Sequence, residues 1–324
     1  MRLPIITVVA FALLSLGQPA DANPQLAAIP GARANMDLLA PQPFQSRAFA
    51  YPHELTIALP ASYAAQPGRK YPVLWVLDGP LMTRAVVGIL DTLVIGNHAP
   101  EMIVIGIGSP AKDGLAGVGR RIVEYSPQGR GYAPPGLAGE AWAKVAPIPD
   151  FPHRADDFLA MLIDDLRPRL AARYRFSGEH TLYGHSAGGM VAAYSIFQRG
   201  AFQKVILGSP YLAGVDGAVF KAEAAYAKRH KTLPVALFIG VGGGEVDEWF
   251  LAASNIVSST ASFAETLHLR GYAGAEVTTR IYSDEDHYTV VPRVIGDGIR
   301  HLWRDEARKL GSSWPARPAA DQTR

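Results

Sequence analysis

The chain of 324 residues contains no cysteine. That excludes a disulfide framework, a thiolate metal site and a cysteine nucleophile. A chain of this length buries enough core without such staples. Charge is sparse too: Asp, Glu, Lys and Arg make up 19% of the residues, and the net charge is only +2. No long Lys/Arg run occurs, so the electrostatic footprint of a nucleic-acid binder is missing. There is no internal repeat, and no metal-ligand spacing of the H-E-x-x-H kind. Nothing in the sequence calls for a metal or an organic cofactor. The longest apolar stretch, residues 4–17, is too short for a comfortable membrane span, so stable membrane insertion is not expected.

What the N-terminus does have is an export pattern. Arg2 supplies a positive start, residues 4–17 an apolar core, and Ala20-Asp21-Ala22 a small-x-small cleavage site. A signal peptide over 1–22 is expected, with a periplasmic or secreted mature chain starting at Asn23. A loose lead-in (23–46), one large domain (47–311) and a short tail (312–324) follow.

Within that domain, apolar runs of strand length alternate with helix-like stretches. Residues 53–59 alternate, with His53, Leu55, Ile57 and Leu59 on one side. Residues 73–77 and 102–107 are nearly continuous apolar runs, as buried parallel strands require. Further strands are read at 180–183, 204–208, 234–240 and 276–282. Helices are read at 81–95, 156–174, 189–197, 248–269 and 290–310, with a kink at Pro168. Such alternation predicts an α/β fold: a mainly parallel, doubly wound sheet with helices on both faces. Residues 118–151 are rich in Gly and Pro and fit no element. They are expected to form a lid-like insertion or a pocket wall.

The most informative motif is Gly184-His185-Ser186-Ala187-Gly188, set between a strand and a helix. This G-x-S-x-G pattern marks a sharp strand-to-helix turn that presents a serine hydroxyl, the nucleophile elbow of the α/β-hydrolase fold. The glycines keep side chains out of the tight packing around a strained backbone. A helix N-terminus aimed at the site favours developing negative charge.

In this fold the chain order is nucleophile, acid, histidine. Of the nine histidines, His287 lies just after the last strand and before the last helix, at the carboxyl edge of the sheet where such sites form. It is the expected proton carrier for Ser186. The acid should follow the strand at 234–240. Glu245 comes first there, behind Gly242-Gly243-Gly244, with Asp247 and Glu248 as rivals. The oxyanion hole needs two backbone N–H groups. One is expected from Ala187 and the other from Gly79, Pro80 or Leu81.

These landmarks together carry a family resemblance. Residues 71–79, 121–127, 158–174 and 182–189, with Ser209-Pro210, Gly242 to Glu245 and Asp286 to Pro292, resemble the putative-esterase family of α/β-hydrolases, most closely its enterobactin-esterase-like branch. The resemblance spans roughly 47–310. It implies a Ser186–Glu245–His287 triad and ester hydrolysis through an acyl-enzyme. Where that family commonly offers an oxyanion N–H after its Asp-Gly pair, this chain has Pro80, which has none. Gly79 or Leu81 must then serve. The resemblance also implies a small ester as partner, with an anionic ferric catecholate siderophore as the leading substrate. Arg120, Arg121 and Arg130 would meet its charge, and Trp142 is a further substrate-binding candidate. An acyl or carbohydrate ester, acyl transfer to an alcohol, and a silent binding protein are the alternatives.

Overall fold

The structure, a computed structural model, describes residues 35–145 and 151–314. The expected signal peptide, its cleavage site and most of the C-terminal tail lie outside the described residues.

Nine strands form one sheet. They are β1 (Asp37–Leu38), β2 (Gln42–Phe44), β3 (His53–Leu59), β4 (Tyr71–Leu77), β5 (Ile103–Gly108), β6 (Phe176–His185), β7 (Lys204–Gly208), β8 (Thr232–Gly242) and β9 (Ala273–Tyr282). The spatial order is β1-β3-β5-β4-β6-β7-β8-β9, with β2 also on β3. From β5 to β9 every pairing is parallel, while β1, β2 and β5 all run antiparallel to β3. Part of the lead-in is therefore not loose. Its residues 37–38 and 42–44 pair with the β3 backbone.

The helices are α1 (Gly79–Ile95), α2 (Gly114–Tyr125), α3 (Leu137–Val145), α4 (Ala155–Ala160), α5 (Arg167–Ala171), α6 (Ala187–Gln198), α7 (Gly214–Ala227), α8 (Trp249–Ala253), α9 (Ile256–Arg270), α10 (Val290–Leu302) and α11 (Arg304–Leu310), of which α1, α6, α9 and α10 pack directly on the sheet. Strand β4 shows how both faces are buried. Val73, Trp75 and Leu77 join the core shared with α4 to α6, while Leu74 and Val76 join the core beneath α1 and α10. Alternate side chains of a strand point to opposite faces, so a strand covered on both sides reads as one apolar run.

Three expectations are corrected here. Residues 118–151 are not elementless: α2 and α3 occupy much of the segment. Glycines at 114, 117 and 119 weaken the helix signal, but Gly117 is buried against Ser109 and admits close packing. The kink expected at Pro168 is a π-helical turn at Met161–Leu166, just before the proline. Proline cannot donate to a preceding carbonyl, and the wider turn absorbs the break. The single helix read at 290–310 divides at Trp303, which is buried beneath the Lys204 ammonium at 3.9 Å.

Candidate active site

The segments at the carboxyl ends of β4, β5 and β6, with α2 and the loop after β9, line one cavity of about 440 Å³. Ser186 follows β6 directly and has φ 58° and ψ −122°, a conformation that costs an L-residue on the order of 1–3 kcal/mol. Three backbone bonds hold it there. Its N–H donates to the Gly208 carbonyl at 2.9 Å. Its carbonyl accepts from Tyr211 N–H at 3.0 Å and from Met190 N–H at 3.1 Å. A Cβ at Gly184 would lie 2.2 Å from the Gly188 carbonyl oxygen, so the turn admits only glycine there. Ala187 opens α6, and its N–H belongs to the unpaired first turn at the positive end of the helix.

His287 sits on the loop between β9 and α10 and lines the same cavity as Ser186. Its Nδ1 is 2.8 Å from Glu245 Oε2. Glu245 is fully buried in the tight turn after β8. Its other oxygen accepts from Ser209 Oγ at 2.5 Å and from Gly242 N–H at 3.0 Å. A buried carboxylate needs such partners, and these three hold it in one orientation. Asp247 and Glu248 are exposed and make no bond to His287. Asp286, His287's neighbour, turns outward and accepts the N–H groups of Tyr288 (2.7 Å) and Thr289 (2.8 Å).

On the opposite wall, Asp78 follows β4 in a left-handed conformation, φ 55°. Its carbonyl takes the Leu81 N–H at 2.9 Å and the Met82 N–H at 3.0 Å. Leu81 N–H is thereby occupied. Gly79 is buried against β5, where a Cβ would come within 2.4 Å of Gly106. His185, in the variable position of the motif, packs its ring 4.6 Å from that of His287. Burial first, then the charges of His287 and Arg121, push its pKa down to about 3, so it stays neutral.

The four expected substrate contacts divide. Arg121 reaches the cavity, but its fork binds both oxygens of Asp78 at 2.6 and 2.8 Å and the His185 carbonyl at 3.3 Å. Arg120 pairs with Asp113 at 2.5 Å and lies over the Tyr51 ring at 4.4 Å. Arg130 and Trp142 line a separate depression. Trp142 is buried there and donates to Ser254 Oγ at 3.1 Å. Sequence reasoning missed Ser209 as a partner of Glu245 and Asp78 as a partner of Arg121. Both residues stood inside quoted motifs, but nothing local in the sequence pairs them.

A family model for esterases, described as “Putative esterase”, matches residues 46–237. The chain belongs to the putative-esterase family. Among relatives, it is 29% identical over 143 residues to a siderophore triacetylfusarinine C esterase of Aspergillus fumigatus, a match covering 43% of this chain. The chain thus spans 44% of that relative's length. Among solved structures, it is similar to an IroE-like serine hydrolase from Shewanella oneidensis (TM-score 0.72, 24% identity, 83% of this chain and 81% of that one). It is also similar to the siderophore hydrolase EstA of Aspergillus nidulans (TM-score 0.70, 19% identity, 91% and 99% covered). At these identities the two structures speak for the family's α/β fold. Among the described residues no helix is long and apolar enough to cross a membrane.

Proposed function

We propose that this member of the family is an exported serine esterase that cleaves a carboxylic ester, of siderophore type, through an acyl-enzyme. The observation that carries the reading is the 2.8 Å contact of Glu245 with His287 Nδ1, in the cavity that also contains the strained Ser186. A carboxylate on Nδ1 keeps the proton there and leaves Nε2 free to act as a base. Ser186 Oγ attacks the ester carbonyl carbon and its proton passes to His287 Nε2. The carbonyl oxygen becomes an oxyanion, held by the N–H groups of Ala187 and Gly79. The intermediate collapses, and the alcohol leaves with the proton from His287. Water, deprotonated by His287, then attacks the acyl-enzyme and releases the acid and Ser186. The siderophore element of the reading rests on the activity that the Aspergillus relatives' names state.

Ser186→Ala tests the mechanism. Loss of the nucleophile is expected to cost on the order of 10⁶ in kcat, and a fluorophosphonate should add once to the wild type, at Ser186. Label on another residue, or an active Ser186→Ala, defeats the reading.

A further inference from the structure

Among the described residues, those lining the cavity around Ser186 carry no unpaired charge. Asp78 and Arg121 cancel in their two-point pair. Glu124, 2% exposed, faces His53 Nε2 at 3.0 Å. His287 faces Glu245, and His185 is neutral. Arg120 is held by Asp113, and Arg130 lies elsewhere. The loop bearing His287 carries negative charge outside the cavity lining. Asp284 and Asp286 are exposed there, and the N–H groups of Thr289 and Tyr288 hold the Asp286 carboxyl below the ordinary range. Two cations come near in sequence: Lys112, exposed beside wall residue Ala111, and Arg84, one turn beyond Leu81 on α1. Neither lines the cavity.

The mouth is apolar instead. Leu81, Val118 and Tyr288 line the cavity and are 71%, 52% and 75% exposed. Large apolar side chains left in water around a concave site mark a surface that a ligand covers. An anion entering would shed water and find no unpaired cation in return among the described residues, and the exposed carboxylates beside His287, outside the cavity lining, add no attraction. A neutral ligand gains the apolar contact and loses little.

We infer that the site selects an electrically neutral ester with apolar flanks and disfavours polyanionic ones. This rests on the esterase reading above. For an iron chelate it means a tris-hydroxamate ester, whose anionic donors cancel the metal's charge, in preference to a trianionic tris-catecholate ester. Of the three arginines expected to meet an anionic chelate, Arg120 and Arg121 are paired with carboxylates and Arg130 lines a separate depression.

The test uses two pairs of esters. p-Nitrophenyl butyrate and mono-p-nitrophenyl succinate are similar in length and differ in one carboxylate. A ferric tris-hydroxamate cyclic ester and a ferric tris-catecholate cyclic ester differ in net charge. Wild-type kcat/KM should favour the neutral member of each pair by at least about tenfold, which corresponds to roughly 1.4 kcal/mol. Val118→Lys, which replaces an apolar contact at the mouth with a cation, should lower kcat/KM for the butyrate and raise the succinate-to-butyrate ratio of kcat/KM several-fold. Binding of the two chelates to Ser186→Ala, read by equilibrium dialysis, should show the same preference without catalysis. Equal or better use of the anionic members, or tighter binding of the catecholate complex, overturns the inference. Absence of turnover on every ester would sink the esterase reading alone, because the dialysis still decides the charge preference.

Discussion

Arg121 grips both carboxylate oxygens of Asp78 and touches the carbonyl of His185, so one side chain on α2 ties the β4–α1 turn to the serine elbow. These two turns carry the proposed oxyanion donors, Gly79 and Ala187. Their separation therefore depends on a fork that only a planar guanidinium supplies. Burial opposes the Arg121 charge, and the adjacent Asp78 more than restores it, which holds its pKa above the ordinary arginine value.

Arg121→Lys should keep the charge and lose the fork. We expect kcat to fall about 10- to 100-fold with KM little changed, since a displaced oxyanion donor weakens the transition state more than the ground state. Steady-state kinetics and the rate of fluorophosphonate labelling check this. Unaltered kcat, or a change confined to KM, would argue that the pair only supports the fold.

Glu245→Gln keeps the shape and removes the charge behind His287. A loss of roughly 10⁴ in kcat is expected from acid removal in other triads. Asp247→Asn and Glu248→Gln, exposed and away from His287, should cost less than about tenfold. Ser209→Ala deletes the hydroxyl that donates to Glu245 Oε1, and a net hydrogen bond worth about 1 kcal/mol predicts a fall of around fivefold. An active Glu245→Gln would point to a Ser186–His287 dyad.

Acid should unfold the protein partly through two buried histidines. His185 has its pKa pushed down to about 3 from 6.5 by burial and the neighbouring His287. His180 is pushed down to about 4 by burial and then by Arg167, and its Nδ1 accepts the Trp75 indole N–H at 3.2 Å. Both bind a proton more readily when unfolded, so stability falls as pH drops below 6.5 towards these values. Urea melts from pH 7 to 4 should show this slope. His185→Leu should flatten it, and a slope unchanged in that variant would assign the acid sensitivity to other groups.

Gly79→Ala should act through packing. The added methyl would meet the β5 backbone at Gly106 and Ile107, which cannot yield like a side-chain tip. Overpacking of this kind costs about 1–3 kcal/mol, and Tm should fall by several degrees in calorimetry. A variant as stable as the wild type would mean that α1 shifts freely, and its kcat would then report the displaced oxyanion donor.

Much of the architecture was legible because it is written in local periods. The two-sided burial of β4 and β5 made continuous apolar runs, and the sterics of the elbow demanded glycine at position 184. The order Ser186, Glu245, His287 along the chain followed from the order of strands, and Glu245 stood where a glycine run lets the chain turn. What local pattern does not carry are the contacts between residues far apart in the chain. Glu245 meets Ser209 across 36 positions, and Asp78 meets Arg121 across 43. Those meetings exist because β7 lies beside β8, and β4 beside β5, in the sheet, which brings the segments after their carboxyl ends together. The helices within 118–151 escaped notice for a related reason: glycine lowers their intrinsic helix signal, and packing of α2 on α4 and α6, and of α3 on α8, supplies what propensity lacks. The arginines show the limit most directly. A sequence states that a cation is present, but whether its charge is free for a ligand or neutralised by a carboxylate depends on which side chains the fold brings within hydrogen-bonding distance.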